Sequence, residues 1–121
     1  MAITEQELWV FKAIGNNDKA AIQAVYKENY SLIQHFVINN NGTEDDARDI
    51  FQEAMMVLYE KSRLPGFELT CQIRTYLYSV CRRLWLKKLQ HSRRIETKVE
   101  NFDQIVQVEE DIEEHDKLNL Q

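Results

Sequence analysis

Helix-breaking residues are scarce in this chain, which has only three glycines and one proline among its 121 residues. Strand-and-turn architectures need such residues at many turns, whereas helices need them mainly at their ends. Hydrophobic residues make up 44% of the chain, enough for one modest core, and the length is too short for two domains. We therefore expect a single all-α domain, a compact bundle of about four helices.

Capping signals and apolar spacing indicate the first two helices. A capping box that begins at Thr4 predicts a short first helix, and Gly15 predicts its end. Asp18 can cap a second helix. We expect this helix to break near Asn29 and to resume over residues 30–38.

The second half of the chain predicts two further helices. Thr43 and Asp46 form a capping box for the third helix. Its apolar residues follow the three-and-four spacing of a core-facing stripe: Ala47, Ile50, Phe51, Ala54, Val57 and Leu58. Pro65 and Gly66 predict a loop from Leu64 to Cys71. The fourth helix follows, with these residues expected inward: Ile73, Leu77, Val80, Cys81 and Leu84.

Charge is divided unevenly along the chain, whose overall net charge is -5. Residues 1–68 carry a net charge of -5, residues 69–95 carry seven cations and no carboxylate, and residues 96–121 carry -7. A helix that stays cationic inside an acidic chain is typical of an element that contacts phosphates, although a solvated helix face gives the same pattern. Three interleaved aromatic residues could stack on bases or belong to the core: Tyr76, Tyr78 and Trp85.

No constellation of catalytic residues is visible, and the glycines stand alone rather than in a phosphate loop, so neither an enzyme nor a cofactor site is expected. Cys71 and Cys81 lack metal-ligand spacing, which favours reduced thiols over a disulfide or a zinc site. The N-terminus has neither the basic start nor the apolar run of a signal peptide, and no stretch has the length of a membrane span. We expect a cytoplasmic protein with no membrane partner.

Two adjacent segments carry the pattern of a known family. DARDIFQEAMMVLYEK contains a D-A-x-D-hydrophobic-x-Q-E block, formed by Asp46, Ala47, Asp49, Ile50, Gln52 and Glu53. QIRTYLYSVCRRLWLKKLQ contains an R-x-aromatic-L-aromatic-x-aliphatic-small-R block, formed by Arg74, Tyr76, Leu77, Tyr78, Val80, Cys81 and Arg82. In this order and spacing they resemble region two of the extracytoplasmic-function (ECF) sigma factors of bacterial RNA polymerase. Where that family commonly has Asn and Asp, this chain has Arg83 and Lys87.

The resemblance covers most of residues 5–94 and implies a domain division. Residues 1–95 would form the helical region-two domain. Residues 96–121 would form an acidic linker toward a helix-turn-helix domain, region four, which the 121 residues do not include.

The resemblance also implies two binding surfaces. The third helix would dock on the clamp coiled coil of the polymerase beta-prime subunit through Asp49, Gln52, Glu53 and Met56. The loop before the fourth helix would capture a base flipped from the melted minus-ten promoter element, with Phe67 as an apolar wall and with Glu68 and Thr70 at its edge. The fourth helix would contact the adjoining DNA through Arg74, Arg82, Arg83, Lys87 and Lys88.

The expected function is therefore that of a sigma-factor domain that binds core polymerase and promoter DNA, with an anti-sigma factor as a further partner. A helical protein-interaction module and a nonspecific nucleic-acid binder are the alternatives, and the second would show salt-dependent binding without strand preference. The acidic tail could also fold over the basic helix and screen it. The predicted base-reading loop could be a plain connection.

Overall fold

The computed structural model describes residues 3–92, and these residues form four helices without any strand. They are α1 (Glu5–Gly15), α2 (Lys19–Asn39), α3 (Glu44–Ser62) and α4 (Ile73–Ser92). The predicted all-α bundle of about four helices is confirmed. The predicted acidic linker, residues 96–121, lies outside the described residues. Within residues 3–92, no helix combines the length and apolarity that crossing a membrane requires.

The predicted caps are present at three helix starts. Thr4 Oγ1 accepts from the backbone N–H of Glu7 at 3.2 Å, and Asp18 Oδ1 accepts from the first turn of α2. Thr43 and Asp46 form both halves of a capping box, at 3.1 and 2.9 Å. Because these bonds satisfy backbone donors that have no partner within the helix, the chain enters each helix at a defined residue.

The carboxylate of Glu7, a residue of α1, contacts the start of α4. Instead of completing the capping box of α1, its Oε1 accepts from the backbone N–H of Ile73 at 2.9 Å. Ile73 begins α4, so a side chain of α1 caps the basic helix. This contact fixes the start of α4 against the body of the bundle.

The second helix is continuous, so the predicted break near Asn29 is wrong. Asn29 is only 5% exposed. Its side-chain Nδ2 donates to the carbonyl oxygen of Val25 at 2.7 Å, and its Oδ1 accepts from Arg74 Nε at 3.3 Å. Asparagine disfavours helix interiors mainly because its amide competes for backbone bonds, and here that amide is satisfied within the helix and by α4.

The third helix packs against each of the other three. Its start lies beside the end of α4, where Lys88 Nζ is 3.8 Å from Asp46 Oδ1, so α3 and α4 run in opposite directions. The predicted stripe of α3 and the predicted inward residues of α4 are all buried. The largest fully buried side chains include Trp85, Tyr76, Phe51, Leu58 and Leu77.

Trp85 closes the core against the turn between α2 and α3. Its indole Nε1 donates to the carbonyl oxygen of Asn40 at 3.0 Å. A Cβ atom added at Gly42 would lie 2.7 Å from Trp85 Cζ2 and 2.4 Å from Val37 Cγ1. Glycine is therefore required here by the close approach of the turn to the indole.

Candidate functional site

The D-A-x-D-hydrophobic-x-Q-E block of α3 has buried apolar residues and exposed polar residues, with Asp46 and Glu53 half-buried between them. Ala47 and Ile50 are buried, whereas Asp49 and Gln52 are exposed. Met56, one helical turn further on, is 52% exposed. An exposed thioether between a carboxylate and an amide has no packing role in the bundle, and such side chains suit contact with another protein.

Glu53 lies at the edge of this surface. It is half-buried, and it faces Cys81 of α4 closely enough to act on that thiol. Burial raises the pKa of the Cys81 thiol well above its usual range, and the charge of Glu53 raises it further. The predicted docking face (Asp49, Gln52, Glu53 and Met56) therefore has three exposed members and one member at the boundary with α4.

In the loop between α3 and α4, residues 63–72, the side chains of residues 67–70 alternate between inward and outward positions. Phe67 is half-buried and Leu69 is buried, whereas Glu68 and Thr70 are exposed. Gly66, which precedes these residues, has a φ of +84°, in the left-handed region that favours glycine. The alternation makes the loop a surface of polar side chains over an apolar underside.

The sequence predicts Phe67 as the apolar wall of a base-binding loop, and in the structure its ring is half-buried and packs against the bundle. The ring centroid lies 5.9 Å from that of Phe11 and 6.4 Å from that of Tyr76. Lys61 Nζ lies 5.7 Å from the same ring. Phe67 therefore anchors the loop, and the exposed surface of the loop includes Leu64, Glu68 and Thr70.

The cations of α4 do not form the single stripe that their density in the sequence suggests. At about 100° per residue, Arg83 and Lys87 share one face, whereas Arg82 and Lys88 lie on different sides of the helix. Arg82, Arg83 and Lys87 are half-buried, and Lys88 lies beside α3. The positive charge is thus distributed around α4 rather than concentrated along one line.

Arg74 has a structural role beside any role in DNA binding. Its Nε donates to Asn29 Oδ1 at 3.3 Å, and its Nη2 donates to the carbonyl oxygen of Glu28 at 3.2 Å. The guanidinium therefore ties the first turn of α4 to the middle of α2. Arg74 is nevertheless exposed at the surface.

The aromatic residues of α4 belong to the core rather than to a stacking platform. Tyr76 and Trp85 are buried, Trp85 to within 1% of its surface, so the core alternative is confirmed for both. Tyr78 is half-buried, with its ring 5.5 Å from that of Phe36 in an edge-to-face arrangement. Of these three aromatic side chains, Tyr78 alone keeps a partly exposed surface.

Sequence reasoning missed three features of the surface and its surroundings. Lys61 is a buried cation, and it lies on the apolar stripe because it follows Val57 by four residues and Leu58 by three. Trp9 of α1 is 65% exposed. A cavity of about 560 Å³ lies where α1, α2 and the first turn of α4 meet, with Arg74 among its lining residues.

Three structural features characterise the described part of the chain. It is an all-α bundle with an acidic, methionine-bearing face on α3, and with a polar loop that leads into a cationic helix. Among the residues that the structure describes, no three His, Cys, Asp or Glu side chains are grouped as a metal site would require. Neither a protein-family model, nor a curated protein, nor a solved structure matches this chain.

Proposed function

We propose that the chain is the region-two domain of an ECF-like sigma factor, which binds RNA polymerase core and reads and melts the minus-ten promoter element. It acts without intrinsic catalysis and works in the cytoplasm. An anti-sigma factor that covers one of its two surfaces would be its regulator.

The observation that carries this proposal is how the family-like motifs divide between core and surface. Residues of the two blocks with an apolar character, such as Ala47 and Leu77, are buried. Polar residues that the family uses for partners, such as Asp49 and Gln52, are exposed on the outer face of α3. Met56, which follows the block by one helical turn, adds an exposed apolar side chain to the same outer face.

The DNA-binding side uses two neighbouring elements with different tasks. Cations of α4 attract and position the phosphate backbone, which carries no sequence information by itself. The loop offers a carboxylate at Glu68 and a hydroxyl at Thr70, and such groups can accept from and donate to the edges of a base. Since flipping a base costs a few kcal/mol, a rigid loop beside a cationic helix supports the melted state.

Binding to core polymerase tests the proposal through the α3 face. We expect the double variant Asp49→Arg, Met56→Ala to retain its helical fold, because both side chains are exposed. Its affinity for core polymerase should fall by at least about tenfold, since an exposed hydrophobic anchor and a complementary charge would be lost together. The measurement is retention of the full chain by immobilised core enzyme over a concentration series.

A matched control makes the same two kinds of change on α2. Glu28→Arg reverses an exposed carboxylate, and Ile38→Ala truncates an apolar side chain that is 46% exposed. This control variant should bind core enzyme as the unmodified chain does. Equal binding by all three folded proteins would remove the docking assignment.

A further inference from the structure

The ends of α1 and α3 meet at a polar cavity of about 390 Å³. It is lined by Lys12, Gly15, Asn16, Ser62 and Arg63. The two helix ends are in close contact, because a Cβ atom added at Gly15 would lie 2.8 Å from Ser62 Oγ and 3.1 Å from the Ser62 carbonyl oxygen. Two packed helices therefore hold the walls of this cavity at a fixed distance from each other.

The guanidinium of Arg63 is oriented by contacts on one side. Its Nη1 donates to the carbonyl oxygen of Gly15 at 3.1 Å and to Tyr59 Oη at 3.2 Å, and its Cζ lies 5.5 Å from the centroid of the Tyr59 ring. Among residues 3–92, Nε and Nη2 of Arg63 have no hydrogen-bond partner. These two atoms form an edge that can donate side by side to two oxygen atoms of one anion.

Lys12 adds a second cation to the same cavity. Its side chain is exposed, and its ammonium has no ion-pair partner in the part of the chain that the structure describes. Asn16, the C-cap of α1, adds a side-chain amide that can donate. None of the described residues that line the cavity is an Asp or a Glu. The cavity therefore offers the donors that an anion requires.

Cations at a helix C-terminus also complement the negative end of the helix dipole. Each helix end amounts to roughly half a negative charge, so α1 and α3 together neutralise about one of the two cations. An excess of about one positive charge remains for a ligand. A phosphate group suits it best, because its oxygen atoms can accept from the Arg63 edge and from Lys12 together, whereas a carboxylate has only two oxygen atoms to share.

We propose that Lys12, Asn16 and Arg63 form a phosphate-binding site at the joined ends of α1 and α3. The phosphate belongs either to the backbone of a nucleic acid or to a small phosphate ligand. The nucleic-acid source rests on the proposed function, in which the loop that begins at Arg63 reads a DNA strand. The site lies outside α4, so it is separate from the cations that the resemblance assigns to DNA.

Two matched double variants of the full chain test the site. Lys12→Gln with Arg63→Gln removes both cations, whereas Lys27→Gln with Arg48→Gln removes a lysine and an arginine that are exposed and do not line the cavity. Both changes lower the net charge by the same amount, so a difference between them reports position rather than total charge. Lys12→Gln alone keeps the contact of Arg63 with Gly15, and it replaces the first double variant in every measurement if that variant does not fold.

The first arm uses inorganic phosphate and NMR. The resonances of the Arg63 side-chain Nε–H and of the Asn16 amide should shift on titration with sodium phosphate but not with sodium chloride at equal ionic strength. The apparent affinity should fall at least about fivefold in Lys12→Gln, because a charge-assisted hydrogen bond is lost, and stay within about twofold in the control.

The second arm uses single-stranded DNA over a series of salt concentrations. The slope of log affinity against log salt should become shallower by about 0.7 in the cavity variant relative to the control, as expected when one phosphate contact is lost.

The two arms separate the site from the source of its phosphate. We expect both responses, which together assign the site to the nucleic-acid backbone. A response to inorganic phosphate in a chain that binds no DNA, or whose DNA slope equals that of the control, would uphold the site and overturn the nucleic-acid source. If inorganic phosphate shifts neither the Arg63 nor the Asn16 resonance of the unmodified chain, the proposal is overturned, whatever the slope shows.

Discussion

Gly42→Ala is expected to destabilise the bundle through the indole of Trp85. The added Cβ would lie 2.4 Å from Val37 Cγ1 and 2.7 Å from Trp85 Cζ2, closer than carbon atoms approach in folded proteins. Both partners are buried ring or branched atoms that cannot swing aside. Overpacking of this kind typically costs about 1–3 kcal/mol, and the reduced freedom of the unfolded chain offsets about 0.4–1 kcal/mol of it.

The free energy of unfolding should therefore fall by about 1–2 kcal/mol. For a domain of this size, each kcal/mol lowers Tm by roughly 4 °C. Urea titration followed by circular dichroism measures it. Trp85→Phe removes the two indole atoms nearest to the added Cβ, so the cost of Gly42→Ala should be smaller in that background, with a coupling energy of at least about 0.5 kcal/mol. A Gly42→Ala variant as stable as the unmodified chain, or a double-mutant cycle without coupling, would refute this reasoning.

Three further outcomes follow from the core and its contacts. In the native chain at pH 8, maleimide should modify Cys71 slowly and Cys81 only after unfolding, because burial raises the pKa of both thiols. Mass spectrometry of the labelled protein measures which thiol is modified. Because the folded chain keeps the Cys81 proton that the unfolded chain loses, stability should fall as pH rises above about 8.5, and a fall of equal size in Cys81→Ala would contradict this. Arg74→Ala should lower the free energy of unfolding, measured by urea titration, by about 1–2 kcal/mol, because the buried Asn29 loses a hydrogen bond. Unchanged stability would show that this contact between α4 and α2 does not stabilise the bundle.

Much of the fold could be predicted from local sequence signals. The caps at Thr4, Asp18 and Thr43 are local hydrogen bonds between residues two or three positions apart, so the sequence contains both partners. The predicted break near Asn29 is wrong because it depends on a residue that is distant in the sequence. One partner of that amide, Arg74, is 45 residues away and comes near only when the bundle forms.

The candidate site could be predicted less completely than the fold. Exposure of Asp49 and Met56 follows from helical spacing alone. The packing of Phe67 does not, because the rings that it contacts, Phe11 and Tyr76, belong to α1 and α4 and come near it only when the bundle forms. The contacts of Arg74 and Lys61 also involve partners in other elements, so charge in the sequence indicated a cation but not what it contacts.

Selection from a randomised pool of single-stranded DNA is the most direct test of the central claim. The pool is offered to core polymerase alone, to the full chain alone and to the two together, at a salt concentration where nonspecific binding is weak. We expect the mixture to retain a short common motif that neither component retains alone. The motif should change when residues 64–71 are exchanged for another loop, whereas Lys87→Ala should weaken all sequences about equally. A mixture that enriches no motif beyond those enriched by the core enzyme would contradict the proposed sigma-factor function.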